Sequence, residues 1–339
     1  MKRFTILSAI LIAVLASCKN FEIEHPDFKY VSGFFPYQYP VRTLVLGDYI
    51  YDNTNDNNHK FVISISIGGV YANEKDRAFN IQVDNSLCEN VLFSEGGDPI
   101  IAMPPNYYQL GGGQIVVPKG KVNGGVEVQL TDAFFSDPKA IKNTYVVPLR
   151  ITGSNDVDTI LSGRSPNPNA DPRIAGDWLT TPKNFTMFAV KYINEYDGKY
   201  FRYGKSSVKN ASGTITENTN YDTEKYVENY PVVRLSTTGR YEVAVSTFFQ
   251  SAVMEGALDL VLAFNGNNCT VSAPDGSPYT VSGSGQFKSK EYNWGNKERD
   301  GIVLTYQVSD GINTYEANEV LVLRDRPVVL EVYSPVVSF

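Results

Sequence analysis

Apolar and polar residues alternate with a period of two, and this alternation limits the fold more than any other feature of the sequence. The segment Phe61-Val62-Ile63-Ser64-Ile65-Ser66-Ile67 places four large apolar side chains on one face, and Val126-Glu127-Val128-Gln129-Leu130 alternates in the same way. A period of two is typical of a β-strand with one buried and one solvated face. Clusters of Gly, Pro, Asn and Asp separate these segments from further strand-like segments. The pattern predicts an all-β chain.

The first half of the chain is predicted to be an immunoglobulin-like β-sandwich over residues 31–160, because roughly seven short strands are expected there. One short helical segment is expected between Asp132 and Ile141, where Pro138 limits its length. Ser165-Pro166-Asn167-Pro168-Asn169-Ala170-Asp171-Pro172 cannot hold a regular element, because proline has no N–H and restricts the residue before it. Residues 161–184 are therefore predicted to link two domains.

Residues 185–339 are predicted to form a second antiparallel β domain. Eight or more strand-like segments follow one another there, and Asp310-Gly311 between two of them is typical of a tight hairpin. Both a barrel and a sandwich agree with this pattern, and a barrel-like form is favoured because the strands read as a meander. Asn194-Glu195-Tyr196-Asp197-Gly198-Lys199-Tyr200 also resembles the start of lipocalin-type barrels.

The N-terminus is similar to a bacterial lipoprotein signal. Lys2 and Arg3 precede an apolar run from Phe4 to Leu15 that is too short to span a bilayer, and Leu15-Ala16-Ser17-Cys18 resembles a lipobox. The resemblance implies a signal peptide over residues 1–17, a lipidated Cys18 and a tether over residues 18–30. An ordinary secretory signal with an incidental cysteine is the alternative. Membrane attachment is expected through the lipid anchor only.

Charge and composition exclude several classes of function. The formal net charge is −7, and loss of Lys2 and Arg3 with the signal would make it −9. No basic run is present, so nucleic-acid binding is not expected. Cys88 and Cys269 are interpreted as buried thiols rather than as a disulfide or a metal site, since no histidine lies near either. No cofactor, metal site or catalytic residue is predicted.

One stretch of the first half resembles a domain family. Asn106-Tyr107-Tyr108-Gln109-Leu110, Gln114-Ile115-Val116-Val117-Pro118-Lys119-Gly120 and Thr144-Tyr145-Val146-Val147-Pro148-Leu149-Arg150-Ile151 follow in order, with the alternating segment at Val126 between the last two. The pattern is similar to an N-terminal domain of Bacteroidota surface lipoproteins encoded in polysaccharide-utilisation loci. The resemblance implies an immunoglobulin-like sandwich, an outer-membrane location and a glycan or an outer-membrane importer as partner.

The best candidate binding segment lies in the second domain. Sugars present apolar C–H faces to aromatic rings and hydroxyl groups to polar side chains, and loops on a β scaffold are frequent binding positions. The segment from Tyr292 to Asp300 supplies both kinds of group, and the residues predicted to bind glycan are Tyr292, Trp294, Asn296, Lys297, Arg299 and Asp300. The alternative is that Trp294 closes one end of the domain core.

Three functions agree with these features. The favoured one is a surface glycan-binding accessory lipoprotein of a polysaccharide-utilisation system. The second is an interaction lipoprotein that docks on an outer-membrane importer and binds no sugar. The third is a small glycosidase, whose catalytic carboxylates would come from Glu291, Glu298 or Asp300. Two features argue against an enzyme: the residues after the sandwich are too few and too β-rich for a (β/α)₈ barrel, and no nucleophile elbow is present.

Overall fold

The computed structural model describes residues 28–338, and almost all regular structure in them is β. The predicted signal peptide, the lipidation site Cys18 and the tether as far as residue 27 lie outside the described residues. Within the described residues, no helix is long and apolar enough to cross a membrane.

The first domain is built from twelve strands before the barrel begins. Its first sheet has the order β11-β1-β3-β9-β7, and its second contains β2-β12-β10-β4-β8 with β6 beside β10. The twelve strands are β1 Ser32–Phe34, β2 Pro40–Val45, β3 Lys60–Gly68, β4 Arg77–Val83, β5 Val91–Leu92, β6 Ile101–Ala102, β7 Tyr108–Leu110, β8 Gln114–Val117, β9 Asn123–Leu130, β10 Tyr145–Gly153, β11 Thr159–Ile160 and β12 Phe185–Ile193.

The core of this domain lies between the two sheets. Phe61, Ile63, Ile65 and Ile67 of β3 all point into it, as the period of two predicts. A second cluster covers the other face of the β2–β12–β10 sheet, and β12 contributes Phe185 to it. The central sheet is therefore buried on both faces, which explains why β10 and β12 are nearly continuous in apolar residues rather than alternating.

The second domain is a closed barrel. Its strands are β13 Gly198–Lys209, β14 Ile215–Asn220, β15 Val232–Gly239, β16 Glu242–Thr247, β17 Leu258–Asn265, β18 Asn268–Ser272, β19 Thr280–Trp294, β20 Lys297–Ser309 and β21 Thr314–Asp325. Strand β13 pairs with β21 along its whole length, from Lys199 to Lys209, and this pairing closes a ring of eight strands. Strand β14 extends the sheet from the second half of β13. The prediction of an all-β fold with a barrel-like second domain is confirmed.

Side chains fill the barrel interior, and most of them are apolar. The main exception is a buried ion pair between Arg202 on β13 and Glu319 on β21. Arg202 also donates from Nη1 to Thr247 Oγ1 (2.7 Å), and the Tyr221 hydroxyl donates to Glu319 Oε1 (2.7 Å). Both charges thus have hydrogen-bond partners, as buried charges require.

The boundary between the domains differs from the predicted one at residue 185. Strand β12 pairs with β10 and, in parallel, with β2, so it belongs to the first domain. Residues 161–184, which were interpreted as an interdomain linker, instead connect β11 to β12 within the sandwich. They contact it through Arg173, whose Nη1 donates to Glu89 O (2.7 Å). The prolines of residues 161–184 exclude regular strands, but this segment does not separate two domains.

The chain also returns to the sandwich after the barrel. Strands β22 Glu331–Val332 and β23 Val336–Val337 pair with β2 and β5, respectively. The Tyr333 side chain is buried in the second apolar cluster and donates its hydroxyl to Met187 O (2.7 Å). The barrel is therefore inserted between two parts of the first domain, whereas the prediction gave all of residues 185–339 to the second.

The few helical turns lie at loops. Helix α1 Thr54–Asn57 occupies the asparagine-rich run, and helix α2 Asp132–Ser136 with the 3₁₀ turn Pro138–Ile141 matches the predicted helical segment. In α1, Asp56 is buried and accepts from Val45 N (2.9 Å) and from Arg42, and burial raises the pKa of its carboxyl group.

The two remaining cysteines, Cys88 and Cys269, are buried free thiols, as predicted.

Candidate binding site at the domain boundary

The predicted glycan-binding segment forms the tip of a long β-hairpin. Strands β19 and β20 pair up to the turn, with Trp294 opposite Lys297. Gly295 and Asn296 both have positive φ angles, of 59° and 57°. A two-residue hairpin loop with left-handed backbone at both positions is the turn that suits the twist of paired strands, and Gly and Asn are the residues that adopt it most easily. The role of Asn296 is therefore to form the hairpin turn.

The Trp294 ring is half-buried and has contacts on several sides. Its indole N–H donates to Leu323 O (2.9 Å), and its ring lies edge-to-face with Phe201, at 5.3 Å between centroids and 90° between planes. The Arg299 guanidinium lies over the indole, 4.4 Å from the ring centroid. These contacts support the structural alternative for Trp294, because the ring face that a sugar would need is covered by Arg299.

Tyr292 and Asp300 are also engaged within the hairpin. The Tyr292 ring lies on Gly301, where a Cβ would come within 2.3 Å of it, and burial together with Glu291 raises the pKa of the Tyr292 hydroxyl. Asp300 is buried and accepts from Lys290 N (2.9 Å) and Ser289 Oγ (3.2 Å). It holds the bulged backbone at Lys290, which has a φ of 56°.

The structure brings Lys297, Arg299 and Asp300 together with residues that sequence analysis did not single out. They line one wall of a cleft of about 240 Å³, and Glu298 belongs to the same wall. The rest of the lining comes from the first domain and from the end of the barrel: Asp48, Tyr49, Ile50, Leu323, Asp325 and Arg326. The cleft therefore lies at the domain boundary. No local sequence signal joins Tyr49 to Lys297, because the two residues come together only in the folded protein.

Arg326 joins the first-domain wall of this cleft to the segment that leads into the barrel. Its side chain is buried, and its Nη1 donates to Leu46 O (2.7 Å) and Asp48 O (2.8 Å) of the first domain. Its Nε donates to Asp197 O (2.8 Å), and its Nη2 donates to Asn194 O. Burial lowers the pKa of Arg326. The neighbouring Arg324 forms an exposed ion pair with Asp325 (3.3 Å), whereas Arg326 is buried.

The cleft combines an aromatic side chain with groups that bind hydroxyls. Tyr49 is half-exposed and packs edge-to-face against Tyr51, at 5.7 Å between centroids. Lys297 and Glu298 are exposed, and the Arg299 Nε atom is buried without a hydrogen-bond partner among the described residues. Such a set can bond the hydroxyl groups of a small polar ligand while Tyr49 contacts an apolar face.

The carboxylates proposed for a glycosidase have different environments. Glu291 forms a long ion pair with Lys288 (3.8 Å) on the exposed part of the hairpin, whereas Glu298 is exposed at the cleft. Asp300 is occupied by the two hydrogen bonds described above. Among residues 28–338, no group of three or more His, Cys, Asp or Glu side chains could hold a metal ion.

Two family models match the chain, one in each domain. A model described as an N-terminal domain matches residues 28–158, and the domain of unknown function DUF5627 matches residues 195–327. The second range coincides with the barrel inserted into the sandwich. No curated protein matches the chain.

Solved structures from Bacteroides ovatus resemble the chain to different degrees. A protein of unknown function is 36% identical, with a TM-score of 0.84, and the match covers 92% of this chain and 100% of that one. A multidomain protein including DUF1735 is 13% identical, with a TM-score of 0.43 and coverage of 87% and 94%. A third, whose description proposes carbohydrate binding, is 11% identical, with a TM-score of 0.28 and coverage of 88% and 100%.

The last two resemblances are too distant to inform on function. The first extends over both domains and over the whole of the related chain. The chain belongs to the family of this Bacteroides ovatus protein of unknown function.

Proposed function

We propose that the protein is a glycan-binding accessory lipoprotein of a polysaccharide-utilisation system, and that the cleft at the domain boundary holds the glycan. The observation that carries the proposal is the convergence of Lys297, Arg299 and Asp300 with Tyr49 on one cleft. Three of the six residues chosen for sugar binding thus share a cavity with an aromatic side chain from the other domain. The lipid anchor at Cys18 and the outer-membrane location are part of the proposal and rest on the lipobox resemblance.

The rigidity of the cleft supports this role. Arg326 holds the first-domain wall against the residues that lead into the barrel, through four backbone carbonyl groups. A preorganised site loses less entropy on binding than one that must be assembled around the ligand. The exposed side chains of Lys297 and Glu298 can reach ligand hydroxyls, whereas Asp300 shapes the wall.

A glycan array followed by calorimetry tests the proposal, with the chain from Lys19 onward as the protein. Tyr49→Ala and Lys297→Ala are each expected to weaken a bound oligosaccharide about tenfold, which is typical of a central contact. Lys205→Ala is the matched control, because Lys205 is exposed on the outside of the barrel and lines no cleft described above. Full affinity in both cleft variants would remove this site, and no binding by the wild type across host and plant glycans would remove the function.

Docking on an outer-membrane importer is the second candidate, and exposed apolar side chains near the domain boundary favour it. Val329 and Leu330 are 70% and 82% exposed, and Ile50 and Tyr51 are exposed on the loop after β2. Exposed apolar residues that cluster often mark protein contacts. Co-purification of an importer with the wild type but not with Leu330→Asp would support this candidate. Unchanged recovery of the importer with Leu330→Asp would count against it.

The lipid anchor has its own test. Metabolic labelling with a fatty acid is expected to label the wild-type protein and not Cys18→Ser. Labelling of Cys18→Ser at the wild-type level would show that the anchor is not at this cysteine.

A further inference from the structure

An exposed tyrosine stands between the two largest clefts described in the sandwich domain. Tyr37 lies in the segment between β1 and β2, and its side chain is 57% exposed. One cleft has a volume of about 440 Å³ and the other of about 410 Å³, and Pro36 and Tyr37 line both. Both volumes lie in the range typical of small-molecule sites, roughly 300–1,000 Å³. A ring that separates two clefts can contact a ligand that occupies both.

The backbone around Tyr37 is held in place. The Tyr37 carbonyl accepts from Thr186 Oγ1 (2.9 Å), and the Gln38 carbonyl accepts from Met187 N (2.7 Å). Pro36 and Pro40 fix the φ angles on either side. The position of the exposed ring is therefore set before any ligand binds, which reduces the entropy lost on binding.

The first cleft is aromatic and carries no free charge. Tyr39 packs against Phe185 and Tyr333, with centroids 5.9 Å and 5.6 Å away. Within residues 28–338, Arg173 is the one charged residue in the lining. Its Nε and Nη2 donate to Asp171, and its Nη1 donates to backbone carbonyls that include Glu89 O. Its charge is thus paired, so an anionic ligand would find no free cation here.

The second cleft offers neutral polar groups beside apolar ones. Its polar lining is Ser64, Ser66, Asn123 and Thr186, and no charged side chain of the described residues lines it. Its apolar lining includes Val62, which is exposed. Hydroxyl and amide groups next to apolar surface match the two kinds of surface that an uncharged sugar presents.

The backbone of β3 adds hydrogen-bonding groups to this cleft. Ile67 N donates to Val122 O on the β9 side, so the alternate residues Val62 and Ser64 direct their N–H and C=O groups away from β9. Strand β1 covers β3 only from Ser66 to Gly68, which leaves Val62 and Ser64 without a strand on this side. Two free edge residues are too few for a long peptide strand, whereas they suffice to bond sugar hydroxyls.

We propose that Tyr37 and its two clefts form a second binding site, for an uncharged oligosaccharide chain that lies across the tyrosine ring with sugar units in both clefts. The inference rests on the proposed glycan-binding function and adds the substrate class, because neither cleft presents an unpaired charge. The cleft at the domain boundary, in contrast, is rich in charged side chains.

Calorimetry with a ladder of uncharged hexose oligosaccharides, from two to six units and with several linkages, tests the inference on the chain from Lys19 onward. Affinity is expected to rise with chain length, and Tyr37→Ala is expected to weaken the longest bound oligosaccharide about tenfold or more. Tyr37→Phe should bind like the wild type, because the expected contact is with the ring. Tyr226→Ala is the control, since Tyr226 is 53% exposed on the other domain.

The outcomes separate this site from the one at the domain boundary. Loss of binding in Tyr37→Ala with full affinity in Tyr49→Ala and Lys297→Ala would support the Tyr37 site and reject the other. Wild-type affinity in Tyr37→Ala would overturn the inference while leaving the proposed function intact if Tyr49→Ala binds weakly. Binding of extended peptides at this edge, with no response to the whole ladder, would overturn the inference in favour of strand addition.

Discussion

The guanidinium group of Arg299 covers one face of the Trp294 indole, and the indole N–H donates to the backbone carbonyl of Leu323. The first contact lies within the hairpin, and the second fixes the hairpin tip to the end of strand β21. Trp294 is therefore part of the structure that closes the barrel at the domain boundary. Its role in binding, if Tyr49 and Lys297 hold a ligand, is to position the neighbouring wall.

Trp294→Ala is accordingly expected to lower the free energy of unfolding by about 2 kcal/mol, less than for a fully buried tryptophan because the ring is half-exposed. Trp294→Phe should recover part of that loss, since it keeps a ring but not the N–H donor. Urea denaturation followed by circular dichroism gives both values. Equal stability of Trp294→Ala and the wild type would contradict the closing role.

Arg326→Ala is expected to cost about 3 kcal/mol of stability, because four buried carbonyl groups would lose a charged donor. The same denaturation experiment measures the change. Arg324→Ala is the matched control from the same segment, since Arg324 is exposed and its ion pair with Asp325 is expected to contribute less than about 1 kcal/mol. Similar losses in the two variants would refute the role of Arg326 as the link between the domains.

Glu319→Ala should destabilise the protein by about 3–5 kcal/mol, because it leaves the Arg202 charge buried without its partner. The double variant Arg202→Met with Glu319→Leu should recover much of this loss, since it removes both charges and keeps apolar volume. Glu316→Ala on the same strand is the control, because its ion pair with Lys209 (2.6 Å) is partly exposed. A double variant no more stable than Glu319→Ala would contradict this account.

His59 is expected to make stability depend on pH. Its ring packs on Phe135 at 4.1 Å between centroids, and burial, with a smaller effect of Arg240, lowers the pKa of its imidazole. The folded protein therefore binds a proton less readily than the unfolded chain. The contribution of His59 is fully present above its ordinary pKa of about 6.5 and is lost as the pH falls below it.

His59→Asn provides the measurement, because asparagine tolerates the φ of 58° found at this position. The difference in unfolding free energy between the variant and the wild type should change between pH 7.5 and pH 5, in favour of the variant at low pH. A difference that is independent of pH would show that His59 does not titrate with folding.

The alternating segments predicted the fold well, because side-chain direction in a strand follows directly from residue parity. Ile63 and Ile65 are buried, as their positions in the alternation require. The hairpin at Gly295 and Asn296 lay inside the segment predicted as a loop, and the sequence contained its turn chemistry. Cys88 and Cys269 are buried thiols, as predicted, and each packs in an apolar cluster although polar residues such as Glu89 and Asn268 flank them in the sequence.

Contacts between distant parts of the chain were the part that the sequence did not predict. Nothing in Phe185–Ile193 distinguishes a strand of the sandwich from a strand of the barrel, since both would be apolar and β-branched. The buried position of Arg326 could not be predicted from the sequence, because its four carbonyl partners lie in segments far away along the chain. The same limit applies to Tyr37, which is exposed beside clefts that only the packed sheets create.

The return of the chain to the sandwich at Glu331–Val332 has a consequence for engineering and for evolution. The barrel is attached at two points, Asn194 and Arg326, which one side chain holds side by side. Because the chain enters and leaves the barrel from the same sandwich, the barrel could be removed or replaced while the N-terminal and C-terminal parts of the sandwich stay unchanged. A short bridge between the two attachment points could take the place of the barrel, and the sandwich could accept a different insert at the same position.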